Sequence, residues 1–555
     1  MKKNKTLISI ITVIVGLLLV NFIASKFYQR FDLTKDNRYT LSNASKALVS
    51  DLDSPLIIDV FLEGNFPSEF RLLQTETKQI IEEFQLETNQ IFINYINPIE
   101  DETTRERNID ELTKSGLEPY INTDNSTGKV TKEIIFPWAF ASYKDEIVKI
   151  PLLKRSITQG LQEQVNNSVQ SLEYAFSDGF SQLVNPKSKT IAILKGNGEL
   201  DDVYLADFLK TMQQYYRVAP FTLDSVASNP QKTLNDLKQY DLIVAAKPSE
   251  AFTENEKLVL DQYSMHGGKS LWLTESVIMD EDSLHNATGT GVSIMRDLKL
   301  NDFFFKYGIR INPSLVKDLY SAPIMLAIGE GSQAQLQPLQ WQYSPLAASN
   351  PNHSITKNLN LVRFDFASPI DTLKNGIEKS ILLQSSPRSK LEGVPKSISL
   401  ANVMETPDET TYNLGPQNLA VLLEGEFTSV YDKRVLPFEV KDFKSKSTET
   451  KMVVISDGDV IKNKVVRNRP QELGFDQLTG KAFGNKEFLI NTINYLLDDT
   501  GLINIRAKEI SIAFLDSEKI KDSNGKWQLI NIVLPLALLG LFGFAFNYFR
   551  KKKYT

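Results

Sequence analysis

KTIAILKG, residues 189–196, is the stretch on which the fold turns. Its apolar residues run on without polar alternation, so both faces have to be covered, as on an inner strand of a parallel sheet. It ends at a glycine and is followed by DVYLADFLKTMQQYY (202–216), whose apolar residues recur at helical spacing. DLIVAAK (241–247) and KSLWLTE (269–275) repeat the strand pattern, with the amphipathic NEKLVLDQYSMHGG (255–268) between them. Strand and helix alternating in this way predict a doubly wound α/β sheet, with ligands expected beyond the carboxyl ends of its strands. Farther on, LAVLLEGEF (419–427) and KMVVISDGD (451–459) read as more parallel strands of the same sheet, and EFLINTINYLLDD (487–499) as an apolar-faced helix. The doubly wound domain is thus expected over 187–515. Within it, the stretch 280–400 is read as an insertion, where Gly289, Gly291, Pro313, Pro323 and the Gln-rich QAQLQPLQWQY predict long loops with a few strands such as KSILLQSS.

Upstream, residues 53–185 form a second α/β pattern. LIIDVFL (56–62) reads as a strand, Phe66 to Thr88 as a helix and IFINYIN (91–97) as a strand. A helix over 100–116 stops at Gly116, two strands flank Lys144-Asp145, and a long helix runs from about Ile157 to Leu183. This order matches a thioredoxin-like domain. The loop after its first strand, Glu63 to Pro67, holds no cysteine, which makes it a binding or spacer module. Before it lies a juxtamembrane segment, 30–52, in which Ser42 is placed to cap a short helix.

Composition removes whole classes of chemistry. Among 555 residues there is no cysteine, so disulfides, thiol nucleophiles and iron-sulfur clusters are excluded. The three histidines, His266, His285 and His353, stand 19 and 68 residues apart, outside any metal-binding spacing. Lys2, Lys3 and Lys5 at one end and Arg550 to Lys553 at the other hide the acidity of the rest: the net charge is -6 with these seven cations and -13 without them. An acidic body of this kind excludes nucleic acid as a partner, because no basic face is there to displace counterions from phosphates.

Both basic clusters sit outside apolar runs. LISIITVIVGLLLVNFIA (7–24) is uncharged over 18 residues, about 27 Å of helix and enough to cross a bilayer. Phe22 and Ala24 fit a signal-peptidase site badly, which favours an uncleaved anchor over 7–25 after a cytoplasmic tail of residues 1–6. LINIVLPLALLGLFGFAFNYF, followed by RKKK, predicts a second anchor over 528–549 before a tail of 550–555. The positive-inside rule then places both termini in the cytoplasm and the body across the membrane, in the periplasm of a cell with an inner membrane. In the second anchor, Gly540 and Gly543 allow close helix approach and Asn531 and Asn547 offer interhelical hydrogen bonds, so these four are candidate contacts to a membrane partner.

Two loops follow strands of the doubly wound pattern and are candidate ligand or partner loops. Gly196-Asn197-Gly198-Glu199 is placed to cradle phosphate, but Glu199, Asp201 and Asp202 repel one, and the sequence favours a plain turn. Asp457-Gly458-Asp459 offers two carboxylates to a cation, although Asp-Gly is also a common turn pair. The GKS at 268–270 has Tyr263 where a P-loop needs glycine, and no GxSxG is present. No catalytic, cofactor or metal residue is therefore assigned, and an enzyme is not expected.

RFDLTKDNRYTLS (30–42), SLEYAF (171–176), LKGNGE (194–199), LAVLLEGEFTSVYDKR (419–434), MVVISDGDVIKN (452–463) and NKEFLINTINYLLDDTGLINIRAKEI (485–510) together resemble the GldG family, the gliding-motility ABC-transporter auxiliary proteins, over nearly the whole chain. The resemblance implies a noncatalytic subunit, often labelled substrate-binding, that works beside a separate permease and a separate ATPase. It also implies a glutamine-amidotransferase-like (flavodoxin-like) middle domain. The missing cysteine nucleophile, and Asn197 where relatives are expected to carry histidine in a GHGE turn, both weaken a catalytic reading. A structural or force-transmitting subunit and a solute receptor with its ligand in the α/β crevice both remain open, with a cell-envelope enzyme a distant third.

Overall fold

The computed structural model describes residues 12–22, 40–124, 131–156, 160–185, 187–329, 334–477, 479–507 and 517–554. Met1–Lys508 form one unit and Glu509–Thr555 a second. The first unit begins with helix α1 (Thr12–Phe22), the described part of the first expected anchor. Helix α2 (Asn43–Ser50) starts where Ser42 Oγ accepts from Ser45 N at 3.2 Å. That cap satisfies one of the free N–H groups at the helix start, as the sequence predicts.

Strand β1 (Leu56–Val60), helix α3 (Ser68–Glu87), strand β2 (Ile91–Tyr95) and helix α4 (Arg105–Lys114) follow. Then come strands β3 (Tyr120–Asp124), β4 (Thr131–Ile135), β5 (Trp138–Tyr143) and β6 (Glu146–Pro151), and helix α5 (Leu161–Val184). Four of the strands make a sheet in the order β2-β1-β5-β6, with β1 and β2 parallel and the other pairs antiparallel. Leu56, Ile58 and Val60 alternate into the core, and Phe84 of α3 meets Phe180 of α5 edge-on at 5.1 Å. Lys144 turns the β5-β6 hairpin with a left-handed φ of 54°. Its ammonium lies 3.0 Å from Asp53, and Tyr143 and Lys144 together hold the Asp53 carboxyl down at about 2.

The central sheet is built from β7 (Thr190–Lys195), helix α6 (Asp202–Tyr215), β8 (Arg217–Thr222), helix α7 (Pro230–Leu237), β9 (Leu242–Ala246), helix α8 (Glu254–Met265) and β10 (Lys269–Leu273). The strand Lys446–Ile455 joins β10 in parallel, giving the parallel order β8-β7-β9-β10-(446–455). The apolar runs of the sequence are explained by helices on both faces. Ile191, Ile193, Leu242 and Val244 face α6 and the helix Asn485–Leu497. Ala192, Leu194, Ile243 and Trp272 face α7, α8 and the short helix Asn301–Tyr307. With neither face open to water, alternation has no reason to appear.

Two expectations fail in this sheet. The strand Asn418–Thr428 is antiparallel to Lys446–Ile455, where parallel pairing was predicted. The stretch 280–400, predicted as mostly loop, extends the same sheet by Glu378–Gln384, the 15-residue strand Gln335–Ser349 and Ser321–Ile328. The outer part of Gln335–Ser349 is largely exposed, and its Pro338 and Pro345 pair at positions near the sheet margin. Polar residues and prolines are tolerated on such an antiparallel ribbon, so it carries no apolar signature.

The second unit contains the helix Ser517–Tyr554. Its portion Gly525–Lys552 is long and apolar enough to cross a membrane, and its side chains are exposed along its length. It is the single helix of that kind among the described residues. Thr12–Phe22 is too short by itself, and residues 7–11 and 23–25 of the first expected anchor lie outside the described residues.

Candidate functional site

In an α/β sheet of this order the chain reverses its direction of winding between β7 and β9, and the crevice that opens there is the usual place for a ligand. Here it is stapled shut. The carbonyl of Asn197, in the turn after β7, accepts from Ser249 N and Glu250 N, both at 2.9 Å, in the turn after β9. Ser249 Oγ donates to Gly198 O at 2.8 Å, and Leu200 N to Ala246 O at 3.1 Å. Gly198 has a left-handed φ of 68°, and a Cβ there would overlap Ser249 Oγ. The glycine is therefore fitted to loop-on-loop contact. The Glu199 carboxylate folds back to accept from Asn197 N at 2.8 Å. Burial raises its pKa and favours the neutral form.

Beside this turn lies a buried ionic cluster. Lys247 follows β9 directly with a left-handed φ of 56°, and its side chain is 8% exposed. Its Nζ lies 3.1 Å from Glu275, which follows β10, and 2.7 Å from Asp459, which follows the strand Lys446–Ile455; it also bonds Asp280. Gly458 makes this reach feasible, because a Cβ there would overlap Cβ and Cγ of Lys247. Burial pulls the ammonium pKa down, but Asp459, Glu275 and Asp280 outweigh it, so Lys247 stays charged. Burial, opposed by Lys247, pushes the Glu275 carboxyl up to about 7. Asp459 is likewise raised, while Asp280 is lowered because Lys247 overcomes the effect of burial.

Asp457 anchors the neighbouring chain. Its carboxylate accepts from Asp459 N at 2.7 Å and Asp365 N at 2.6 Å. Burial and the nearby Asp459 raise its pKa. The Asp365 carboxylate in turn is forked by Arg363, with Nε contacts of 3.0 and 3.2 Å.

One oxygen each of Glu275, Asp280 and Asp459 lies within 4.8 Å of the others, a donor set for a hard cation. The Lys247 ammonium already bonds all three carboxylates, so it plays the cation's part. The cavity next to Asp459 has a volume of about 50 Å³, room for a water or two and not for a substrate. Arg296 at 3.5 Å from Glu275 and Lys462 at 3.8 Å from Asp459 add positive charge to that of Lys247, so the acids are engaged with cations of the chain and three loops are held together.

The sequence named Asp457 and Asp459 but missed Lys247, Glu275 and Asp280. Two of these were visible as the charged residues that end DLIVAAK and KSLWLTE. A charge directly after a buried strand marks the carboxyl edge of the sheet. Among the described residues no hydrogen bond or ion pair joins the Gly196–Glu199 turn to Asp457 or Asp459, but α6 links the two regions: Asn463 N donates to Tyr204 O at 2.8 Å. Asn531, Gly540, Gly543 and Asn547 all lie on the Ser517–Tyr554 helix. At about 100° per residue, Gly540, Gly543 and Asn547 share a face and Asn531 points to the opposite one.

No curated protein matches the chain. A solved structure titled "mmIFT52 N-terminal domain" is similar at 14% identity over 56% of this chain and 99% of that one, with a TM-score of 0.31. A model described as a domain of unknown function, DUF7088, matches residues 35–142. A second, ABC_transp_aux, described as an ABC-type uncharacterized transport system, matches residues 188–492, from just before β7 into the helix Asn485–Leu497. That match covers more than half of the chain, and with it the central sheet and the Lys247 cluster: this protein belongs to the ABC_transp_aux family of ABC-type transport systems.

Proposed function

We propose that the chain is a noncatalytic auxiliary subunit of an ABC transport complex, of the gliding-motility GldG type. It faces the periplasm, is held by its C-terminal helix and by a second anchor at 7–25, and docks on a permease whose ATP is hydrolysed by a separate subunit. The observation that carries this reading is the closed switch point. The place where a doubly wound sheet would take a nucleotide, a substrate or a solute is filled by loop-on-loop hydrogen bonds and by the Lys247 ion pairs. A crevice closed by its own loops suits a rigid scaffold, and it also weighs against a solute receptor with its ligand there. The strand order β2-β1-β5-β6 supports the thioredoxin-like reading of 53–185. The order β8-β7-β9-β10-(446–455) supports the flavodoxin-like reading of the central domain.

The test is purification of the native complex from membranes through a tag on this chain. A permease and an ATPase are expected to copurify, and the ATPase rate should be unchanged by Glu199→Gln, which leaves the Lys247 cluster intact. Recovery of the chain alone from gently solubilised membranes, or loss of turnover in an assembled Glu199→Gln complex, would count against the proposal. A phosphatase fused after Thr555 should be inactive if that terminus is cytoplasmic. Exchange of Leu529 to Phe549 for a plain leucine-alanine span should release the permease if Gly540, Gly543 and Asn547 dock on it.

A further inference from the structure

A groove of about 780 Å³ lies away from the closed crevice, walled by β6, α5, α6 and the helix Asn485–Leu497. Three features describe what it can hold. Its rim is a free strand: β6 is the last strand of its sheet, and among the described residues nothing pairs with its outer edge. Ile147 on that strand is 67% exposed, an apolar side chain standing at the groove without a partner to cover it. The third feature is charge.

Lys154 and Arg506 in the wall are tied to Glu487 at 2.5 and 3.0 Å, and Lys486 is tied to Asp207 at 3.2 Å and Glu472 at 3.0 Å. Lys149, Lys187 and Lys210 also line the groove, are exposed, and make no ion pair among the described residues. On the acidic side, Glu146 of β6 is exposed, and Asp178 is half-buried, accepts from Tyr215 Oη at 2.9 Å, and has its pKa raised by desolvation. The groove therefore carries a surplus of uncommitted positive charge in a body whose net charge is -13 without its terminal cations.

We propose that this groove binds an extended acidic segment of a partner protein, which adds as a strand to the outer edge of β6. An edge strand offers main-chain donors and acceptors at the spacing of another strand, with every second side chain of the guest turned toward the groove. Val148 and Ile150 of β6 pack toward α5, so Lys149 and Ile147 meet guest side chains on the other face of the extended sheet, while Lys187 and Lys210 select negative charge on the α5 side. Pro151 closes the strand at its far end, because it has no N–H to give; this limits the pairing to a short segment. The inference stands on the groove's shape and charge, and it does not depend on the transport reading.

The experiment uses the full chain in detergent and fluorescein-labelled octapeptides, read by anisotropy. An alternating Glu-Val peptide is expected to bind and to weaken as salt rises. Lys149→Glu with Lys210→Glu should weaken it by about tenfold or more. Lys149→Gln with Lys210→Gln should lose less, and Lys441→Glu, an exposed lysine that does not line the groove, should lose nothing. A Glu-Val peptide N-methylated at alternate residues, which cannot complete a strand ladder, should not bind. The proposal is overturned if neither peptide binds, if an alternating Lys-Val peptide binds as well, or if the double reversal has no effect with the fold intact by circular dichroism. It is overturned too if the N-methylated peptide binds equally and citrate displaces it, because the groove would then be a small-anion pocket.

Discussion

The carboxyl edge of the central sheet and the groove beside β6 both concentrate charge, and they dispose of it in opposite ways. At the sheet edge Lys247 is buried and shared among Glu275, Asp280 and Asp459, so its charge is spent on holding loops. At the groove Lys149, Lys187 and Lys210 are exposed and uncommitted. The position a doubly wound fold usually gives to function is here given to stability, and the surface left open lies between layers. A site is recognised by unsatisfied groups as much as by its place in the fold.

The sharpest way to break this contrast is Lys247→Met. Removing the ammonium takes the nearest cation from Glu275, Asp280 and Asp459, leaving only the longer contacts of Arg296 to Glu275 at 3.5 Å and Lys462 to Asp459 at 3.8 Å. Loss of one partner of a buried ion pair typically costs about 3–5 kcal/mol, so a large fall in stability is expected by denaturant titration. A variant as stable as the parent would show that the cluster is not structural. Next in size, Gly458→Ala puts a methyl against the Lys247 stem and should cost about 1–3 kcal/mol, because the lysine must leave its partners.

A smaller effect concerns pH. The Glu275 carboxyl stands at about 7 in the fold against 4.5 for the free group, a raised value. Its contribution to stability is therefore fully present below about 4.5 and is lost as pH rises through 7. Melting curves between pH 5 and 8 should show this decline, and Glu275→Gln should flatten it. The smallest effect sharpens the other side of the comparison: Lys149→Glu with Lys210→Glu should change stability by no more than about 0.5 kcal/mol while weakening peptide capture by about tenfold or more. If the groove variant were instead the destabilised one, the assignment of roles to the two regions would be reversed.

Legibility followed solvent exposure. KTIAILKG, DLIVAAK and KSLWLTE were readable because each is buried on both faces and each ends close to where its run of apolar residues ends. Asp457 and Asp459 were readable as a turn, and the turn became a site only when it met Lys247. The strand Gln335–Ser349 was unreadable, since much of it is exposed and its prolines mimic loop punctuation. Asn531, Gly540, Gly543 and Asn547 were named for their residue types alone, and on the helix Asn531 stands half a turn from the other three.

By itself the sequence determined the parallel strands, most of the helices that cover them, the apolar C-terminal helix, and the absence of thiol chemistry. These depend on the local order of apolar and polar side chains, or on composition alone. Tertiary structure alone decided that Lys247 serves as the counter-ion of residues up to 212 positions away, that the turn after β7 closes on the turn after β9, and that the lysines of β6 and α6 border a common groove. Ion pairs and groove walls join elements distant in the chain, and no periodicity within one segment records which distant segment will be brought beside it.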